Sequence, residues 1–478
     1  MSSKRLVRTI WAAFAAFCLS GAAQAERLNR NAAHRIDELF DDYDRPDSAG
    51  CALGIIRDGQ FVYRNAYGMG SLELGVPLTA ESVFYMGSVS KQFTAASVVL
   101  AAQQGRLTLD DDVRRWLPEL PDYGTPITIR HLLHHTSGLR DFYTLMGLAG
   151  ERREDRHTTP ELLDLISRQR ALNFEPGSQY SYSNSNYLLL AEIVKRATGM
   201  PLSQFASENI FQPLGMAHTR FYDDANLVLP NRVPAYQTDG NGGFSVGWTT
   251  SFDQVGAGGL MSSIDDLLLW DRNFYNPIVG GEAFLREMRT TGALNDGTPI
   301  NMALGLLIGE YRGLPIEEFN GALFSYRTAL YRFPEQHVSV ALLCNTNADM
   351  IGLAHQVVDV LLERDLEPLP TLATLPNAPI SPRQAPPAPP PVSIEDLAAI
   401  AGRYYSAEVD ATYRLSVDED HLVLELGWND PISFTALSRD VIVSSTGARF
   451  SVRRGDRDQI VGLNASYGAV RDITFDRR

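Results

Sequence analysis

Between Pro368 and Pro391 the chain places ten prolines in 24 residues. Proline fixes φ at about −65° and has no N–H to donate, so neither helix nor sheet continues through such a stretch. It extends in polyproline geometry instead. Residues 366–392 read as a semi-rigid linker; the competing reading is an irregular strap lying along a domain surface. The 478-residue chain divides into a long part, residues 26–365, and a short part, residues 393–478. With 44% hydrophobic residues, the chain has enough apolar surface to fill more than one core.

The short part alternates. Tyr413–Val417, Leu422–Leu426, Val441–Val443, Phe450–Val452, Ile460–Leu463 and Ile473–Phe475 follow one another at about ten-residue spacing, split by Asp, Gly and Asn turns. Period-2 runs of this kind predict antiparallel strands. Up to eight strands fit, which suits a small β-barrel. No cluster of catalytic side chains converges there, so the expectation is a binding or structural module.

The long part mixes strands and helices. Ala52 to Tyr67 predicts a hairpin turning at Asp58-Gly59. A second hairpin is expected from Ala322–Phe333 through Pro334-Glu-Gln-His337 to Val338–Cys344. Between them lie helical segments such as Phe93–Gln104, ending at Gly105, and Asn186–Thr198, ending at Gly199. Strands at both ends with helices between predict an α+β arrangement: an antiparallel sheet flanked by helices, with a helical subdomain inserted.

Residues 1–25 read as a cleavable signal peptide. Lys4, Arg5 and Arg8 precede the apolar run Ile10–Leu19, and Ala23-Gln24-Ala25 offers an A-x-A cleavage site. An uncleaved anchor is the alternative, but the run is short for a bilayer. No other stretch reaches the ~18 apolar residues of a spanning helix. A periplasmic or secreted protein without an integral membrane span is therefore expected. Export permits a disulfide between the two remaining cysteines, Cys51 and Cys344. Two buried free thiols fit the sequence equally. The 57 acidic side chains outnumber 42 cations, for a net charge of −15. No basic surplus exists to neutralise phosphates, which argues against nucleic acid as a partner.

Only three of those cations are lysine: Lys4, Lys91 and Lys195. Lys91 follows Ser88 by three residues at the head of a helix-like run, a spacing that puts both on one helical face. A serine hydroxyl needs a base to become a nucleophile. Neutral lysine can take its proton; arginine cannot, because it stays protonated in proteins. Desolvation and the positive end of a helix both lower a lysine pKa. A second cluster, Tyr182-Ser183-Asn184, supplies a phenol to relay a proton to a leaving group and an amide to orient lysine and substrate.

Four segments carry a resemblance: Met86–Thr94, Ile127–Leu139, Phe174–Tyr187 and Gly256–Leu267. Together the chain resembles the serine β-lactamase and penicillin-binding-protein superfamily. It is most similar to class C β-lactamases, D-Ala-D-Ala carboxypeptidases, D-aminopeptidases and related esterases. The resemblance implies a β-lactamase/transpeptidase-like fold, Ser88 as acylated nucleophile, Lys91 as base or proton shuttle, Tyr182 and Asn184 as the second motif, and no cofactor. The chain departs from the family at the third motif, usually K-T-G or H-x-G. Phe319-Asn320-Gly321 stands there. Gly321 fits, and the Ala322 N–H can join that of Ser88 in an oxyanion hole. Phe319 can neither attract a carboxylate nor donate a proton. Arg327, on the next stretch, is the remaining candidate for a charge partner of the substrate.

The expected activity is thus an acyl-enzyme hydrolase that cleaves an ester or amide bond in a small-molecule or peptide substrate. The alternative is a non-catalytic ligand-binding or sensor protein with a degenerate third motif. Other motifs are weaker. Gly243-Phe-Ser-Val-Gly247 matches a nucleophile elbow, but its flanks read as loop rather than strand and helix. His131, His134 and His135 lack the spacing of a metal site. Asp110-Asp-Asp112 reads as a solvated turn or helix start. The oligomeric state is not encoded in any of these motifs.

Overall fold

The computed structural model describes residues 27–152, 155–247, 254–369, 392–427 and 429–478. The signal-peptide reading and nearly all of the proline-rich run lie outside the described residues.

A six-stranded antiparallel sheet forms the centre of the long part. Its strands are β1 (Cys51–Arg57), β2 (Gln60–Tyr67), β3 (Leu307–Tyr311), β4 (Leu314–Leu323), β5 (Tyr326–Phe333) and β6 (Val338–Cys344). Their order is β3-β4-β5-β6-β1-β2, so strands from the two ends of the region pair as β1 against β6. Asp58 and Gly59 both adopt positive φ, which matches the twist of the predicted β1–β2 hairpin. The Ala322–Phe333 run departs from expectation. Phe324 takes φ 49° and breaks it into the end of β4 and all of β5. A bulky aromatic residue is a rare choice for that conformation.

Six helices matter for the site and the sheet: α1 (Arg30–Glu38), α2 (Ser90–Gln103), α3 (Phe142–Ala149), α4 (Asn184–Thr198), α5 (Ile264–Asn273) and α6 (Met350–Leu361). Alternate residues of β6 face opposite cores. Val340 and Leu342 pack with Ile36 of α1 and Val357 of α6. Ala341 and Leu343 pack with Leu267 and Trp270 of α5. Every residue of β6 is buried, as expected of a strand covered on both faces.

Cys51 and Cys344 lie directly opposite each other on β1 and β6 and are joined by a disulfide across 293 residues. The free-thiol alternative is set aside. Reduction is expected to destabilise the fold by about 2–4 kcal/mol. An equal Tm with and without dithiothreitol, in a sample whose thiols titrate only after reduction, would contradict this.

The short part closes as an eight-stranded antiparallel barrel, its first strand (Gly402–Ser406) pairing the last (Val470–Arg477). Closure leaves no unpaired edge. Buried Leu415, Leu424, Phe434 and Phe450 fill it, with Tyr413 stacked on Phe475 at 4.0 Å. Its apolar core is continuous with that of the long part. Among the described residues no helix is long and apolar enough to cross a membrane.

Candidate active site

Ser88 lies in a 3₁₀ turn, Gly87–Val89, that feeds into α2. Lys91 follows in the first turn of that helix, and its Nζ is 3.2 Å from Ser88 Oγ. From Ser90 to Ala101 every residue of α2 is buried, so Lys91 has no access to water. Its Nζ also donates to Asn184 Oδ1 at 2.9 Å and to the Ala257 carbonyl at 2.6 Å. Burial pulls the Lys91 pKa down to about 7, opposed by the nearby Asp141 carboxylate.

α4 starts at Asn184, two residues earlier than its apolar pattern predicts, and ends at Gly199 in the left-handed conformation. That early start carries the second motif into the site. Tyr182 donates to Ser88 Oγ at 2.8 Å. Burial pushes its phenol pKa up, so it stays a proton donor. The Tyr182 ring rests on His135, with centroids 4.4 Å apart. His135 Nδ1 accepts the Ser183 N–H at 3.1 Å. Burial, and then Lys91, hold the His135 pKa well below its ordinary value, so the ring is neutral.

The third-motif strand touches the serine turn through two glycines. A Cβ on Gly321 would sit 2.1 Å from the Met86 carbonyl oxygen. A Cβ on Gly87, at φ 52°, would sit 2.6 Å from Ala322 N. Only with both side chains absent can β4 approach this closely. Thr328 Oγ1 on β5 donates to the Met86 carbonyl at 2.9 Å and ties the contact. Ser88 and Ala322 then line one cleft of about 250 Å³, together with Tyr85, Asp141, Tyr143 and Tyr182. Asp141 is the one charged residue among the described residues that line it.

Asp141 escaped the motif reading. It caps α3, accepting the Thr144 N–H at 3.1 Å. Its other oxygen accepts the Asn184 N–H at 2.7 Å and Nδ2 at 2.9 Å. An Asp directly before the apolar run Phe142–Ala149 is a legible N-cap signal. Nothing local marks it as a partner of Asn184. Ala257 was missed for the same kind of reason, since a backbone carbonyl leaves no trace in residue type.

Phe319 is buried on β4, on the same face as Gly321, while Asn320 alternates to the other face. Arg327 does not reach the cleft. Its Nη1 donates to the Phe324 and Tyr326 carbonyls, each at 2.8 Å, and Nη2 to Asn347 at 3.2 Å. These contacts hold the Arg327 guanidinium at the β4–β5 turn, and Arg327 is not among the described residues that line the cleft. Ser245 sits exposed on a short strand, Phe244–Val246, hairpinned to Tyr236–Thr238, where a loop was expected. His131 completes a capping box and His134 bonds the Met302 carbonyl at 2.9 Å. Asp112 caps a 3₁₀ turn. Among the described residues no group of three His, Cys, Asp or Glu gathers as a metal site.

A family model described as beta-lactamase matches residues 34–361. A D-aminopeptidase of Gluconobacter oxydans (strain 621H) is 28% identical over 324 residues, covering 67% of this chain and 60% of the relative. One from Brucella anthropi is 28% identical over 314 residues, covering 66% and 59%. The chain thus spans about three fifths of the length of these relatives. The octameric penicillin-binding protein homologue from Pyrococcus abyssi superposes with a TM-score of 0.60 at 22% identity, over 93% of this chain and 98% of that one. The D-amino acid amidase from Ochrobactrum anthropi SV3 gives 0.57 at 24%, over 70% and 99%.

Proposed function

The chain belongs to the beta-lactamase family, and on that footing we propose that it is an exported serine hydrolase working through a covalent acyl-enzyme on Ser88. The observation that carries this reading is the hydrogen-bond set of Lys91. A neutral amine has two N–H bonds and one lone pair. Asn184 Oδ1 and the Ala257 carbonyl take the two N–H bonds, and the lone pair is left for the proton of Ser88 Oγ. With a pKa of about 7, roughly half the molecules carry the neutral amine at neutral pH.

Ser88 Oγ attacks the acyl carbon as its proton passes to Lys91. Charge developing on the carbonyl oxygen is met by the backbone N–H groups of Ser88 and Ala322. Tyr182, hydrogen-bonded to Ser88 Oγ and kept protonated by burial, delivers a proton to the leaving amine or alcohol and is recharged from Lys91. Water then attacks the ester by the reverse route, and the acid is released.

The cleft supports an aminoacyl amide, ester or peptide with a free ammonium group as substrate. Among the described residues that line the cleft, Asp141 is the one carboxylate, Phe319 occupies the third-motif position, and Arg327 is engaged at the β4–β5 turn. Relatives named D-aminopeptidase and a neighbour named D-amino acid amidase agree with that chemistry. Phe319 favours a second reading, a ligand-binding or sensor protein without turnover. Hydrolysis of a p-nitrophenyl ester by the wild type, lost in Lys91→Ala, rules that out.

A fluorophosphonate probe is expected to add once per chain, on the peptide containing Ser88. Its rate should rise with pH to a plateau, with a midpoint near 7, because only neutral Lys91 accepts the proton. Adduct on Ser245, or a flat rate between about pH 5.5 and 8.5, would sink the assignment. In a substrate panel, amino-acid anilides with a free amine should outrun their N-acetyl forms. D-Ala-D-Ala peptides and nitrocefin, which carry carboxylates, should be slowest. A fast nitrocefin rate would overturn the inference from Phe319.

A further inference from the structure

One buried ion pair joins the barrel to the segment that carries Asp141. Glu408 lies between the first two barrel strands, and Arg140 immediately precedes Asp141. Glu408 Oε2 accepts Arg140 Nη1 at 2.6 Å and the Arg170 N–H at 3.0 Å; Oε1 accepts the Thr474 N–H at 3.2 Å. Arg140 Nη1 also donates to Gln169 Oε1 at 3.0 Å, and Nη2 to the Arg471 carbonyl at 2.8 Å. The two side chains are only 2% and 4% exposed. Removing one partner leaves the other as an uncompensated buried charge.

From Arg140 the connection runs into the site. The Arg140 carbonyl accepts Ser185 Oγ at 2.6 Å. Asp141, the next residue, holds the Asn184 N–H and Nδ2. With Nδ2 so held, the Asn184 amide presents Oδ1 to Lys91 Nζ. The barrel also grips the far end of α3, the helix that Asp141 caps, through Tyr413, whose hydroxyl donates to the Leu148 carbonyl at 2.8 Å.

We propose that Glu408 is a positioning residue for the Ser88–Lys91 site, acting through Arg140, Asp141 and Asn184, so that docking of the barrel sets how fast Ser88 is acylated. This rests on the reading of Lys91 as the base. It gives the barrel a part in the reaction although none of its described residues lines the cleft.

Among the described residues, the titratable groups facing Lys91 are Asp141, Tyr182, Tyr187 and His135. Asp141 is the carboxylate among them and favours the ammonium form. If Asp141 is released, Lys91 loses that attraction and titrates at lower pH, while Asn184 loses its alignment. Glu408→Gln is therefore expected to lower the plateau rate of fluorophosphonate labelling by about 10–100-fold, and to move the midpoint below the wild-type value. The rate is read from the time course of the molecules that label, so unfolded protein does not enter it. Tyr413→Phe loosens the barrel without touching the Arg140 connection and should keep the wild-type midpoint. A Glu408→Gln protein with wild-type plateau and midpoint overturns the proposal. So does an equal midpoint shift in Tyr413→Phe, which marks a general loosening. Wild-type protein that fails to label at Ser88 removes the hydrolase reading itself, a separate result.

Discussion

Lys91→Arg should slow acylation of Ser88 by about 10⁴-fold, since a guanidinium cannot accept the serine proton. Lys91→Met should slow it as much and, near neutral pH, also stabilise the fold. The second effect follows from linkage. An unfolded lysine titrates at about 10.4, whereas folded Lys91 titrates at about 7. Between those values the unfolded chain binds the extra proton, so the stability of the wild type rises with pH across that window. Below about pH 7 the cost of the buried ammonium is fully present, on the order of 5 kcal/mol. Above about 10.4 it is gone. Methionine carries no charge and fits the same volume, though it leaves the Asn184 and Ala257 oxygens without their donor. The advantage of the variant in urea unfolding should therefore be largest near pH 7 and shrink towards pH 10. A constant difference across that range would mean that Lys91 is not desolvated as its burial implies.

The parts of this site that were legible in the sequence are those carried by local spacing. Ser88 and Lys91 share a helical face because three residues separate them, and α2 delivers that face. Tyr182 and Asn184 were legible as a pair, and the barrel through its period-2 runs. The rest arises from residues far apart in the chain. Asp141 reads locally as a helix cap; its hold on Asn184 exists only once α3 and α4 meet. Pairing of Cys51 with Cys344 depends on β1 and β6 being neighbours in register, which two isolated strand-like runs do not state. The β4–β5 boundary was hidden because the run Ala322–Phe333 is continuously strand-like in composition, and its break relies on Phe324 in a conformation that aromatic residues rarely take. The charge of Arg327 is legible, but its contacts with two turn carbonyls and with Asn347 exist only once β4 and β5 pair.

Ser88→Ala should reduce kcat by on the order of 10⁴–10⁶-fold with the fold intact. The Ser88 hydroxyl bonds to Lys91 and Tyr182, and it caps no helix, so its removal should change stability by no more than about 1 kcal/mol. The double variant Ser88→Ala/Lys91→Met carries the sharper test. In the proposed mechanism serine and lysine act in one proton-transfer step, so once the nucleophile is gone the base has nothing to activate. The double variant should then be no slower than Ser88→Ala alone, within about threefold. Residual hydrolysis in both would come from the backbone donors at Ser88 and Ala322, which neither substitution removes. Losses that multiply instead would mean that Lys91 contributes in a step that does not involve Ser88, such as holding the substrate. A lysine with that duty gains nothing from a lowered pKa. Its burial in α2 and its three oxygen neighbours would then have to be explained as structure alone, and the base assignment would fall.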